Sequence, residues 1–222
     1  MAAADNSNSC WSDVLDPTDR FSEVVFGIIM AMSFTGTVSV ASAGGQGVRE
    51  LFYAAVGCNL AWGIVDAVMY VITSITSRGW SYRLAHAIEG AKDADAGRQI
   101  VGENLPGGLA AVLPPSVLEE VRSAVASGAR NLSHPRVNRD DFSGALGVFL
   151  LVVLGTLPVT LPFVFFPDVT LALQVSQGIG LTMLFVNGAA LGHYGGFGAW
   201  RSGLAMLAVG VALVSLVVAL GG

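Results

Sequence analysis

Five apolar runs, each about 20 residues or longer, constrain this chain more than any other feature of its sequence. Val24–Gly44, Phe142–Phe166, Val169–Gly192 and Gly203–Gly222 contain no charged residue, and Leu51–Ile75 contains one, Asp66. A helix of about 20 residues crosses the ~30 Å hydrocarbon core of a bilayer. The strict alternation of a membrane β-barrel strand is absent. Composition agrees: 53% of the 222 residues are hydrophobic and only 12% are charged, against about 25% in a soluble domain. A water-soluble chain of this length could not bury that much apolar surface and keep a polar skin. The expected fold is an all-α integral membrane protein of five transmembrane helices, with the lipid bilayer as its surroundings. A net charge of −5 speaks against nucleic acid, which needs a basic stripe.

The runs divide the chain into a polar tail (1–20), spans one and two (21–76), an insert (77–140) and spans three to five (141–222). The tail lacks the basic start and apolar centre of a signal peptide. Cys10 lies in it and Cys58 in an apolar run, which gives no support for a bridge or a cysteine zinc site. Five spans put the termini on opposite sides. With the N-terminus in the cytoplasm, Arg20, the eight basic residues of 77–140 and Arg201 lie inside and Arg49 lies outside, ten against one. That asymmetry makes the N-terminus and 77–140 cytoplasmic and sets the C-terminus opposite. In the insert, Leu84, Ile88 and Ala91 give Ser81–Gly102 helical spacing. Pro106-Gly107-Gly108 and Pro114-Pro115 break it. Ser116–Ser127 reads as a second helix, with Ser116 as N-cap and Glu119 closing a capping box. Asn131–Asp141 reads as loop. Such a small helical hairpin does not carry a core of its own.

Asp66 is the residue most suggestive of chemistry. A carboxylate in mid-span costs several kcal/mol and faces a bundle interior or a wet cavity. Asn59, Trp62, Gly63, Asp66 and Tyr70 share one helix face. Asp66 is either held by an interhelical hydrogen bond to a Ser or Thr, or belongs to an ion or proton path. In span one, Ser33, Thr35, Gly36, Thr37, Ser39 and Ser42 stand beside Met30 and Met32. These either allow close helix packing or offer oxygen and thioether ligands to a cation. Glu23, three residues after Arg20, is a salt-bridge partner or a gate at the cytoplasmic mouth. Pro158 and Pro162 break span three and leave carbonyls that protein or water must satisfy. His193 and Tyr194 read as interfacial anchors at the end of span four.

In the insert, His86, Glu89 and Asp93 fall on one helical face and, with Glu119 and Glu120 nearby, are candidates to bind a divalent ion; the alternative is a solvated charged face. There is no Walker loop, dinucleotide fingerprint, zinc-protease motif or nucleophile elbow. Nothing points to an enzyme or to a permanently bound cofactor.

Three stretches resemble the vacuolar iron transporter family. Arg20…Glu23-Val24-Val25-Phe26-Gly27-Ile28 is similar to the family's opening of span one. Gly155-Thr156-Leu157-Pro158 through Pro162-Phe163 is similar to its double-proline span three. Arg201-Ser202-Gly203 with Met206 and Gly210 is similar to its entry into the last span. The helical insert between spans two and three matches as well. The chain departs from the pattern where the family has an Asp-Gly pair in span one, here Met30-Ala31, and a Glu-Tyr pair in span two, here Met69-Tyr70. The resemblance implies a homodimer paired along span one. It implies proton-coupled export of a divalent cation such as Fe²⁺ or Mn²⁺ from the cytoplasm. The path would run through Asp66, Asn59, Met30, Met69, Tyr70 and Glu23, with Asp66 replacing a lost ligand. The alternative is the same fold without metal transport, serving another solute or acting as a scaffold or regulator.

Overall fold

The computed structural model describes residues 17–41, 48–105, 108–129, 132 and 134–219. The tail with Cys10, Ser42, and the side chains of Arg20 and Ser39 lie outside this description. Among the described residues there are nine helices and no strand: α1 (Pro17–Ala41), α2 (Val48–Glu89), α3 (Ala94–Glu103), α4 (Leu109–Val112), α5 (Pro115–Ala129), α6 (Arg139–Thr160), α7 (Pro162–Phe165), α8 (Val169–Tyr194) and α9 (Ala199–Ala219). Four of them, α2, α6, α8 and α9, are long and apolar enough to cross a membrane, and α1 carries a shorter apolar stretch, Phe21–Thr37. The chain divides into two compact units, one made of the residues up to Tyr70 with Phe142 onward, the other of Val71–Asp141.

In the first unit α8 is central, touching α1, α7 and α9. Along it Ala172, Ser176, Gly180, Leu184, Gly188 and Gly192 are buried, one at every fourth residue. All but Leu184 are small, and a row of small residues lets neighbouring helices approach closely. The Met32 side chain of α1 fills the space over Gly180. Ile28, Val159 and Leu184 close around it. Large aliphatic side chains also cover the outside: Val68, Ile72, Leu146, Leu154 and Val186 are all about half exposed. Apolar residues both inside and outside suit a helix bundle solvated by lipid.

Of the two prolines only Pro162 marks a break, and Pro158 lies inside α6. α6 stops at Thr160 and the chain resumes as α7 at Pro162. At this break the Ser176 hydroxyl of α8 donates to the Val159 carbonyl at 2.6 Å. A neighbouring helix thus satisfies backbone that the break exposes.

Two hydroxyls of α1 turn back onto their own helix. Thr35 donates to the Ala31 carbonyl at 2.8 Å and Thr37 to the Ser33 carbonyl at 2.9 Å. Thr35 and Gly36 are buried inside the single chain, Gly36 with Gln177 of α8 beside it. Part of the small-residue stripe expected at a dimer interface is therefore spent on packing within the chain.

The second unit corrects several local expectations. α2 runs past its apolar run and ends at Glu89, and Gly90–Asp93 interrupts the single helix expected over Ser81–Gly102. The reason is a cap: the Asp93 carboxylate accepts from the Ala96 amide at 2.8 Å and starts α3 afresh. Ser116 is not an N-cap. α5 begins at Pro115, whose fixed φ and missing N–H suit a first turn, while the Pro114 carbonyl accepts from the Val117 amide at 3.0 Å. α3 packs on α5, so a helical hairpin does form. α6 starts on a reciprocal cap: the Asp141 amide donates to Asn138 Oδ1 at 3.0 Å and the Asn138 amide to Asp141 Oδ2 at 2.8 Å.

Candidate functional site

The polar and aromatic face of α2 looks into the first unit. Gly63 lies against Phe149 and Val153 of α6, and the Tyr70 ring covers Gly144 of the same helix so closely that a Cβ there would meet it. Trp62 stacks on Phe26 of α1, with ring centroids 5.7 Å apart and planes 5° from parallel. Asn59 is buried. One turn beyond Trp62, the Asp66 carboxyl hydrogen-bonds to the carboxyl of Glu23, one turn before Phe26. Gly27 against Thr156 and Val24 beside Gly155 bring α1 onto α6. Asp66 and Glu23 are thus positioned by three helices that pack through small residues.

Two carboxyl groups in such contact can share a proton. If both were ionised they would repel. Two polar atoms beside this bond, Asp66 Oδ2 and Trp62 Nε1, are buried and have no hydrogen-bond partner among the described residues. An acceptor left open in this way costs about 1–3 kcal/mol. The site therefore presents carboxylate oxygen, a hard ligand suited to divalent cations, with capacity the protein itself does not use.

Asp66 meets neither a Ser nor a Thr but a second carboxyl. Glu23, expected as a mouth residue, is that partner. Spacing could not have found this contact, because the two residues lie on different helices, 43 positions apart. Met69 is half exposed, and Met30 lies seven residues from Glu23, about 10 Å along α1.

The candidates in the second unit are not brought together. His86 and Glu89 share the last turn of α2, but Asp93 lies beyond its end and caps α3. The His86 ring packs against Tyr82, centroids 4.2 Å apart. Glu119 is held by Arg122 Nη2 at 2.7 Å and Arg98 Nη1 at 3.0 Å. These guanidiniums, Arg122 first, hold its carboxyl below the usual carboxylate range. The pair ties α3 to α5, and Asp95 joins it through Arg98. Glu120 is exposed. Among the described residues no group of three or more His, Cys, Asp or Glu is placed to hold a metal ion.

The long apolar helices define a multi-pass membrane protein. The model of the VIT family matches residues 83–222, more than half of the chain, and the chain belongs to that family, the vacuolar iron transporters. The matched stretch begins after both Glu23 and Asp66. No curated protein matches the chain.

Proposed function

We propose that this protein is a five-span carrier of divalent metal cations, Fe²⁺ or Mn²⁺, that exports them from the cytoplasm in exchange for protons. The observation that carries the proposal is the Glu23–Asp66 carboxyl pair between α1 and α2. A cation entering the pair displaces the shared proton and is held by carboxylate oxygens; reprotonation releases it. Metal binding and proton release are then one event. The test is Fe²⁺ or Mn²⁺ flux into proteoliposomes under a pH gradient. No flux above protein-free liposomes would overturn the proposal. A non-transporting member of the same fold is the second possibility, favoured by Met30 and Met69 at positions where the family it resembles has carboxylates.

The proposed sidedness rests on the ten-to-one distribution of basic residues. A cysteine in place of His134 is expected to resist a membrane-impermeant thiol reagent in intact cells and to react after permeabilisation. Rapid reaction in intact cells would reverse the topology.

The proposed dimer pairs through α1, along the face that the single chain leaves uncovered. Met30 and Ser33 are partly exposed, as is Thr37, and they follow one another at spacings of three and four. Ser33→Cys is expected to crosslink across the dimer, whereas Thr35→Cys, 1% exposed in the chain, is not. Crosslinking at position 35 in preference to 33 would sink this arrangement.

A further inference from the structure

We propose that a pocket in the second unit, where α2 leaves its apolar run and the chain turns into α6, binds a phosphoryl-bearing anion. The pocket has a volume of about 650 Å³ and is lined by Arg78, Ser81 and Tyr82 of α2 and by His134, Arg136 and Asn138 of the segment before α6. That is ample for a phosphate or a phospholipid headgroup. Two guanidiniums line it, and no acidic side chain does among the described residues.

Arg78 is fixed in advance. Its Nη2 donates to Asp141 Oδ2 at 2.7 Å, and the Asp141 side chain is only 3% exposed. The same oxygen accepts from the Asn138 amide, so the loop, the start of α6 and the guanidinium are locked together. A guanidinium has donors enough to hold Asp141 and an anion at once, in the fork geometry that suits phosphate. Arg136, in contrast, is exposed and in no ion pair among the described residues. It supplies a positive charge that Asp141 does not balance. The Ser81 hydroxyl and the side-chain NH₂ of Asn138 add neutral donors at the rim.

Depth along the chain selects the ligand class. Arg78 is three residues past Ile75, where the apolar run ends, about 4.5 Å along the same helix. Asn138 is one turn before Phe142, where the next apolar run begins. Trp80, 46% exposed, is an interfacial aromatic at the same level of α2. Arginines at that level meet the phosphate layer of a bilayer. The shared chemistry is a phosphate carrying net negative charge, supplied either by an acidic lipid or by soluble phosphate.

The test uses the full chain in detergent with three probes: dioctanoyl phosphatidic acid, dioctanoyl phosphatidylcholine and inorganic phosphate. Phosphatidic acid is expected to bind about tenfold or more tighter than phosphatidylcholine, as two arginines at a phosphate allow. Arg136→Ala is expected to weaken it by about tenfold with an unchanged melting temperature, and Arg136→Lys to recover part of the loss. Ser81→Phe, which fills the pocket from the helix side, is expected to give the same loss without touching a charge. Competition by inorganic phosphate at millimolar level assigns the site to a soluble anion, and its failure to compete assigns it to a lipid. The proposal is overturned if phosphatidic acid binds no tighter than phosphatidylcholine and inorganic phosphate does not bind. Wild-type affinity in folded Arg136→Ala and Ser81→Phe overturns it equally.

Discussion

Asp66→Asn is expected to reduce metal flux by at least about 100-fold, since even residues that only support a metal ligand cost ~10–100-fold when lost. The amide has the size of the carboxyl and can still hydrogen-bond to Glu23, so the contact between α1 and α2 survives. What disappears is the anion that a divalent cation needs. Glu23→Gln is expected to act in the same direction, and the melting temperature of both variants should stay within a few degrees of wild type. The two proteins should also lose a pH effect. In the proposed mechanism the cation competes with a proton shared by the pair, so metal binding weakens as pH falls. In either amide variant one of the two titrating groups is gone and the dependence flattens. Wild-type flux in both variants would leave the pair a purely structural hydrogen bond, and the non-transporting alternative would then stand.

Gly188→Ala is expected to be severely destabilising, and Gly178→Ala on the same helix is not. A Cβ at Gly188 would lie 2.5 Å from the Met206 Cβ and 2.8 Å from the Ser202 carbonyl oxygen of α9. Neither neighbour is the free end of a flexible chain, so α8 and α9 must separate. Overpacking of that kind costs about 1–3 kcal/mol or more, a fall in melting temperature of roughly 2–12 °C for a chain of this size. At Gly178 a Cβ would meet nothing within 4 Å. Alanine there gains up to about 1 kcal/mol of helix propensity. Opposite signs on one helix distinguish tight packing from a general intolerance of α8, and equal melting temperatures would count against the packing described here.

The apolar runs revealed the class of fold because the bilayer demands one kind of element of a fixed minimum length. They did not reveal where helices end. α2 continues to Glu89, well past Ile75, because Ser77 and Arg78 end a run of hydropathy without ending a helix. The Asp93 cap and the start at Pro115 each overrode a plausible periodicity by a single local contact. Asp66 stood out from sequence because one charge in an apolar run is conspicuous, and the 3.6-residue period correctly gathered Asn59, Trp62, Gly63 and Tyr70 onto its face. Glu23 was visible but could not be joined to Asp66, since contacts between helices leave no trace in local spacing. His86, Glu89 and Asp93 failed as a set for the opposite reason: the spacing was right and the helix was not there.

Biogenesis bears the mark of the carboxyl pair. During synthesis α1 emerges before α2, so Glu23 reaches the membrane while Asp66 is still to come. Each carboxyl alone resists entry into hydrocarbon, by several kcal/mol at mid-span. Together they can share one proton and present one negative charge in place of two. The first two helices therefore enter lipid at least cost as a hairpin already closed at Glu23 and Asp66, with Phe26 stacked on Trp62 shielding the bond. An isolated α2 would carry Asp66 in without that shelter.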